Sequence, residues 1–170
     1  ARPAPPPPPP PPAKPGPPHH PGPQTRDTAI PQQHTQPDRV ERWLDLPVPV
    51  ETVWAAIGDF CDLKSWLPGV ESCERAEIGG AVHRHVKATS GALFLERLVE
   101  EGPHLHRYTI EEGALPVENY LATLTVFPQG DGCRVFWSAS FDSEDPEADR
   151  MVAAIFEGGL RALDKRFGPA

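Results

Sequence analysis

The sequence predicts an α+β fold in which a seven-stranded, curved antiparallel sheet wraps around one long C-terminal helix. Residues 145–167 carry apolar side chains at the spacing of one helix face, at positions 152, 155, 156, 160, 163 and 167. Between residues 70 and 142, turn signals rich in Gly and Pro recur every 10 to 15 residues and separate six extended runs. These short intervals leave no room for helical crossovers, so neighbouring strands are predicted to be antiparallel.

A first strand and two short helices precede these six runs. Residues 40–46 alternate in character and predict the first strand, which ends before Pro47. Residues 50–57 carry one apolar side and predict a short helix that Gly58 ends. Residues 62–66 predict a second short helix, because Pro68 and a following glycine stop any continuation. With this strand, the sheet has seven members.

The clearest strands and the long helix supply the predicted core. Two runs alternate strictly between apolar and more polar residues: Tyr120, Ala122, Leu124 and Val126, and Val135, Trp137, Ala139 and Phe141. Asp145 is the predicted N-cap of the long helix, Pro146 its first residue and Gly168 the residue past its end. Gly159 lies on the inner stripe, where a missing side chain permits either close helix–sheet packing or the approach of a bound ligand.

Composition divides the chain into two parts. Sixteen of the 24 prolines precede Asp38, so residues 1–37 are predicted to be a disordered or extended proline-rich tail and residues 38–170 the folded domain. The tail has a net charge of +2 in a chain of net charge −8, which leaves an acidic domain. An acidic domain without a basic cluster argues against nucleic acid as a partner. No apolar run approaches the ~20 residues of a membrane span.

The start of the chain and its cysteines bear on location. The chain begins Ala1-Arg2-Pro3 without Met, and we expect a secreted or periplasmic protein, with the cytoplasm as the alternative. Three cysteines, Cys61, Cys73 and Cys133, leave open one disulfide or three thiols, since none has CxxC spacing.

Several segments resemble one family. The stretch 53–60, VWAAIGDF, followed by Trp66 and Pro68, resembles the opening of SRPBCC (START/birch-pollen-allergen-like, helix-grip) proteins, in particular their polyketide cyclase/dehydrase branch. Further matching segments are Gly80-Ala81-Val82, Glu96-Arg97-Leu98, Leu115 to Tyr120 and Gly159-Leu160. Within that branch the chain is similar to periplasmic accessory proteins of methanol oxidation (the MxaD type). The resemblance covers about residues 39–168.

The resemblance implies a cavity between the sheet and the C-terminal helix that holds an apolar small molecule. The residues expected to line it are Phe94, Tyr108, Ile110, Tyr120, Leu124, Trp137, Ile155 and Gly159. The leading expectation is therefore a ligand-binding protein that uses no cofactor. The alternatives are a cyclase, dehydratase or isomerase acting on a polyketide-like or aromatic substrate, and a partner protein that assists a periplasmic dehydrogenase.

Polar residues on the predicted strands provide candidates for chemistry. No nucleotide-binding loop, GxSxG or HExxH motif occurs. His83 and His85 lie where relatives usually have an arginine and an aliphatic residue, and alternation places both on one face. If that face is the inner one, both could join Glu96, His106 and Tyr108 in one cavity. His83, His85, Glu96 and His106 are then candidate acid–base residues, and the three histidines a candidate metal site.

Overall fold

The computed structural model describes residues 2–13 and 37–170 of the chain. Residues 2–13 have no regular secondary structure and their side chains are exposed. The remainder of the predicted tail lies outside the described residues. Residues 37–170 belong to one compact unit. No helix among the described residues is both long and apolar enough to cross a membrane.

Seven strands and two helices make up this unit. In chain order they are β1 (Asp38–Leu46), α1 (Val50–Ile57), β2 (Val70–Ile78), β3 (Ala81–Ala88), β4 (Leu93–Gly102), β5 (Leu105–Gly113), β6 (Glu118–Gln129), β7 (Gly132–Asp142) and α2 (Ala148–Phe167). The strands form one antiparallel sheet in the order β1-β7-β6-β5-β4-β3-β2. The predicted fold class is confirmed, with β1 added beside the last strand.

The second predicted short helix is absent. Residues 64–66 form a turn, in which the backbone amides of Trp66 and Leu67 both donate to the carbonyl of Leu63. The turn cannot grow into a helix, because Pro68 has no N–H to donate and Gly69 takes a left-handed φ of 83°. One short helix, α1, therefore follows β1, and residues 58–69 cross to β2 as an irregular segment.

Helix α2 begins two residues later than predicted. The Asp145 carboxylate accepts a hydrogen bond from the backbone amide of Glu147 at 2.8 Å, and its carbonyl accepts one from the amide of Ala148 at 3.1 Å. Asp145 thus forms a turn that leads into the helix, and Ala148 is the first helical residue. At the other end Gly168 is extended, with φ −69°, and its amide donates to the carbonyl of Asp164.

The core lies between the concave face of the sheet and α2. All eight apolar residues of the two clearest predicted strands are buried. Helix α2 packs chiefly on β1 and also contacts β7, where the rings of Trp137 and Phe156 stack with centroids 4.3 Å apart. The helix therefore covers one side of the concave face more closely than the other.

Gly159 is a packing position of α2. A Cβ atom built there would lie 2.8 Å from both Leu67 Cδ1 and Trp137 Cζ3, and 3.2 Å from Trp66 Cζ3. Gly159 was interpreted either as a close packing position or as a place where a ligand approaches. The structure shows close packing of α2, the sheet and segment 58–69. The neighbouring Gly158 differs, since nothing lies within 4 Å of a Cβ added there.

We predict opposite effects for alanine at these two adjacent glycines. Gly159→Ala should lower the free energy of unfolding by ~1–3 kcal/mol, because the new methyl group forces Trp137 and Leu67 to move. Gly158→Ala should raise it by up to ~1 kcal/mol, since alanine favours a helix and meets no neighbour. Urea denaturation of both variants measures the difference, and an equal effect at the two positions would contradict this packing.

Candidate functional site

The concave face of β3 carries an arginine and not the two histidines. Arg84 is buried and pairs across the sheet with Glu96 of β4, whereas His83 lies opposite Arg97. Because side chains alternate along a strand, His83 and His85 point to the outer face. The prediction that these histidines face the cavity is therefore wrong, because the inward-facing positions of β3 are shifted by one residue from those predicted. Val82 and Val86 lie two residues before and after Arg84. These apolar residues could have indicated from the sequence that this set of positions faces inward.

The outer-face histidines do not form a metal site with His106. His83 is buried and its Nδ1 lies 2.9 Å from the carbonyl oxygen of Ala81, whereas His85 is exposed. His106 is on the concave side, so the sheet separates it from both. Among residues 2–13 and 37–170, no three His, Cys, Asp or Glu side chains are grouped to hold a metal ion.

Arg84 and Glu96 form a buried ion pair on the concave face. Arg84 Nε donates to Glu96 Oε1 at 2.9 Å, and the two side chains are 4% and 11% exposed. Arg84 Nη1 also donates to the carbonyl of Phe60 at 2.7 Å, and the guanidinium lies over the rings of Phe60 and Tyr108, 4.0 and 4.6 Å from their centroids. Burial is the largest single influence and lowers the pKa of the guanidinium, but Glu96, Tyr108 and Cys73 together outweigh it and raise this pKa. The arginine therefore stays charged inside the domain.

Aromatic side chains extend this polar centre across the sheet. Trp137 Nε1 donates to the hydroxyl of Tyr108 at 3.0 Å, and the rings of Tyr108 and Tyr120 are neighbours at 6.4 Å. Burial raises the pKa of Tyr108 and of Tyr120 well above the usual range. Both phenols are consequently neutral at physiological pH and act as hydrogen-bonding groups.

His106 occupies the end of the concave face beneath α1. It is 1% exposed, and its ring packs 4.8 Å from that of Trp54 and 5.7 Å from that of Phe60. Its Nε2 lies 2.8 Å from the carbonyl oxygen of Gly58. A carbonyl only accepts, so Nε2 carries the proton and donates. Burial lowers the pKa of His106, which keeps the imidazole neutral.

The predicted lining residues fall into two groups. Tyr108, Tyr120, Leu124, Trp137 and Gly159 are fully buried. Phe94, Ile110 and Ile155 pack on the core but stay half-buried. Two further half-buried residues follow β5, Leu115 and Val117. We call Phe94, Ile110, Leu115, Val117 and Ile155 the half-buried apolar row. Sequence reasoning missed Arg84, Phe60 and Trp66 as components of this interior.

A concavity lies beside β2, β3, β4 and β5 and is lined by residues of both strand phases. It has a volume of about 350 Å³ and is lined by Ser72, Glu74, His85, Val86, Lys87, Leu93, Phe94, Leu95 and Glu112. His85 belongs to this open depression, whose lining is mixed in character. It takes no part in the interior that holds Glu96 and His106.

An antiparallel seven-stranded sheet closed by a C-terminal helix, with one short helix after the first strand, defines the helix-grip class. Residues 37–168 match the model of the family described as polyketide cyclase / dehydrase and lipid transport. The chain belongs to this family. The resemblance inferred from residues 53–60 and the later segments is thereby confirmed.

Solved structures agree with this assignment. The protein XoxI from Bacillus cereus is 31% identical, with a TM-score of 0.71, over 76% of this chain and 94% of that one. A START superfamily protein from Mycobacterium smegmatis (15% identity, 76% and 96% coverage, TM-score 0.58) shares the fold. So does the Zhui aromatase/cyclase of a Streptomyces species (19% identity, 76% and 92% coverage, TM-score 0.59). The comparison with curated proteins gives no match.

We predict that the buried ion pair is far more sensitive to mutation than an exposed one beside it. Arg84→Met should cost ~3–5 kcal/mol of unfolding free energy, because it leaves Glu96 buried without its counter-charge. The double change Arg84→Met and Glu96→Leu should recover part of that loss. Arg97→Met is the matched control. Arg97 pairs with Glu111 on the outer face, both are about 40% exposed (43% and 40%), and its removal should cost less than ~1 kcal/mol. Equal losses in the two single variants would contradict the assigned inward phase of β3.

We predict that His106 makes the domain acid-sensitive. An unfolded histidine takes up its proton near pH ~6.5, whereas the folded domain takes it up only at lower pH, because the pKa of His106 is lowered. Between these two pKa values the unfolded state binds more protons, so stability falls as the pH falls, by at most ~1.4 kcal/mol per pH unit for one group. His106→Gln should flatten this slope below pH ~6.5. Urea melts at several pH values measure it, with the exposed His85→Gln as control. The same slope in wild type and His106→Gln would overturn the assignment.

Proposed function

We propose that this protein binds a small, mostly apolar molecule in the concave interior between the sheet and α2. The observation that carries the proposal is the half-buried apolar row. Its five members pack against the core, yet each keeps part of its surface exposed. A ligand that covers apolar surface of this kind contributes ~25 cal/mol for each Å² removed from water.

Two members of the row, Phe94 and Ile110, belong to the side of the concave face that α2 covers less closely. Phe94 and Ile110 lie on β4 and β5 in phase with Glu96 and Tyr108, and both approach Gly113, where an added Cβ would lie 2.7 Å from Phe94 Cδ1. The loop after β5 carries Leu115 and Val117, and the Ser143 hydroxyl donates to the carbonyl of Pro116 in that loop. This contact holds the loop near the start of α2, the helix on which Ile155 lies. The row therefore frames the proposed entrance to the interior.

An acid–base enzyme has less support from the geometry. Glu96 is engaged by Arg84, and His106 donates to the Gly58 carbonyl. His83 and His85 lie on the other face of the sheet. None of the described hydrogen bonds joins a histidine to Glu96, so the acid–base set inferred from the sequence is not assembled. The accessory role beside a periplasmic dehydrogenase and the secreted location remain predictions from the sequence.

Binding of the neutral fluorescent probe Nile red tests the proposal. We expect saturable binding of one probe per domain, weakened about tenfold or more by Ile155→Trp, which fills the proposed entrance. Leu93→Trp is the matched control, because Leu93 is 65% exposed on the outer face and should leave the affinity within about twofold. Probe binding that Leu93→Trp weakens and Ile155→Trp does not would move the site to the depression that Leu93 lines. No saturable binding would refute a site for neutral apolar molecules.

A further inference from the structure

The depression beside β2, β3, β4 and β5 is built from two rows of side chains that cross these strands. The first row consists of residues that are direct partners in neighbouring strands: Glu74, His85, Leu95 and Glu112. Direct partners in an antiparallel sheet share one face, so the row lies on the outer face with His85. The second row lies beside it on the same face and consists of Ser72, Lys87 and Leu93. The depression is therefore a groove that crosses four strands.

Each end of the first row carries a carboxylate without a counter-charge. Glu74 and Glu112 are both exposed. Within the part of the chain that the structure describes, neither takes part in an ion pair. Lys87, the cation of the second row, is already engaged, because its Nζ lies 3.3 Å from a carboxylate oxygen of Glu71. The two ends of the groove therefore favour positive charge.

The middle of the groove offers apolar surface. Leu95 is half-buried in the first row, and Leu93 of the second row is 65% exposed. An apolar chain that covers these leucines removes their surface from water, which is favourable. The groove thus combines two separated negative charges with an apolar stretch between them.

The spacing of the two carboxylates sets the length of a ligand that meets both. Three strand intervals separate Glu74 from Glu112, and at ~4.8 Å per interval their Cα atoms lie ~14 Å apart. An extended chain of about ten carbon atoms covers this distance. Alkyl amines, like the side chain of lysine, are protonated at neutral pH.

We propose that the groove binds an aliphatic diamine of this length. One ammonium group lies at Glu74 and the other at Glu112, and the chain between them covers Leu95 and Leu93. The site is on the opposite face of the sheet from the interior next to α2, so it does not rest on the function proposed above.

A series of aliphatic probes tests length and charge separately on the unaltered protein. By titration calorimetry at physiological salt, decanediamine should bind saturably, with one molecule per domain. Its affinity should exceed that of butanediamine, which is too short to reach both carboxylates, by about threefold or more. The same margin should separate it from decylamine, which has one charge, and decanediol should bind more weakly still. Affinity that depends on charge and not on length would reflect the acidic domain as a whole, and the inference would be wrong.

Neutral substitutions at the two ends test the assigned contacts. Glu74→Gln and Glu112→Gln should each weaken the binding of decanediamine about threefold to fivefold and abolish its advantage over decylamine. Glu101→Gln is the matched control, because Glu101 is an exposed carboxylate of β4 outside the groove. Its loss should change the affinity by less than about twofold, since salt screens distant charges. Equal losses in the three variants would refute the site.

Nile red distinguishes the groove from the interior. Decanediamine should leave the affinity for Nile red unchanged, because the two proposed sites lie on opposite faces of the sheet. Displacement of Nile red by decanediamine, together with weaker diamine binding in Ile155→Trp, would place the diamine in the interior and overturn the inference. If Nile red does not bind while the diamine series behaves as expected, the function proposed for the interior fails and the groove stands.

Discussion

A guanidinium inside a small domain must be neutralised and hydrogen-bonded, and the way Arg84 meets this requirement organises the interior. Glu96 lies directly across the sheet, and the Phe60 carbonyl lies above it. The arginine thereby ties the concave face of β3 and β4 to segment 58–69. That segment has no regular hydrogen-bond ladder of its own, so a charge-assisted bond to its backbone contributes strongly to its position. The same segment carries Trp66, whose indole packs against Trp137 of the sheet.

The strands and the long helix were predictable because their signals are local. Alternation along residues 120–126 and 135–141 could bury only one face, and the apolar stripe of α2 had one possible orientation. The prediction of a second short helix failed because residues 62–66 can form only a single turn. Pro68 then lacks the backbone N–H that would continue it. The predicted start of α2 was wrong for a related reason. Asp145 can accept a hydrogen bond in a turn as well as cap a helix, and the sequence does not distinguish the two.

The candidate site was harder to predict, because its decisive residue sits in a polar run. His83, Arg84 and His85 are all polar, so the middle of β3 does not show which phase faces inward, and only the flanking valines at 82 and 86 indicate it. Which face is buried depends on a partner twelve residues away, Glu96, and on the carbonyl of Phe60. Burial of a charged residue costs free energy unless the residue is paired. The pairing forms only when the tertiary structure brings the two residues together. The resemblance to relatives indicated an arginine in this strand. The register of the strand, which decides which residue faces inward, was not predicted.

The packing of α2 and the pairing of charges together limit what the interior can recognise. The helix lies closely on β1 and β7. Trp137 and Leu67 fill the space beside Gly159, so this glycine leaves no room for a ligand. Apolar surface is left only partly covered on the β4 and β5 side, where Phe94 and Ile110 lie. Electrostatic discrimination is weak there, because the ion pair, the tyrosines and His106 present no net charge. Shape therefore remains as the means of selection. A ligand that binds the folded domain and not the unfolded chain should stabilise the domain as its concentration rises.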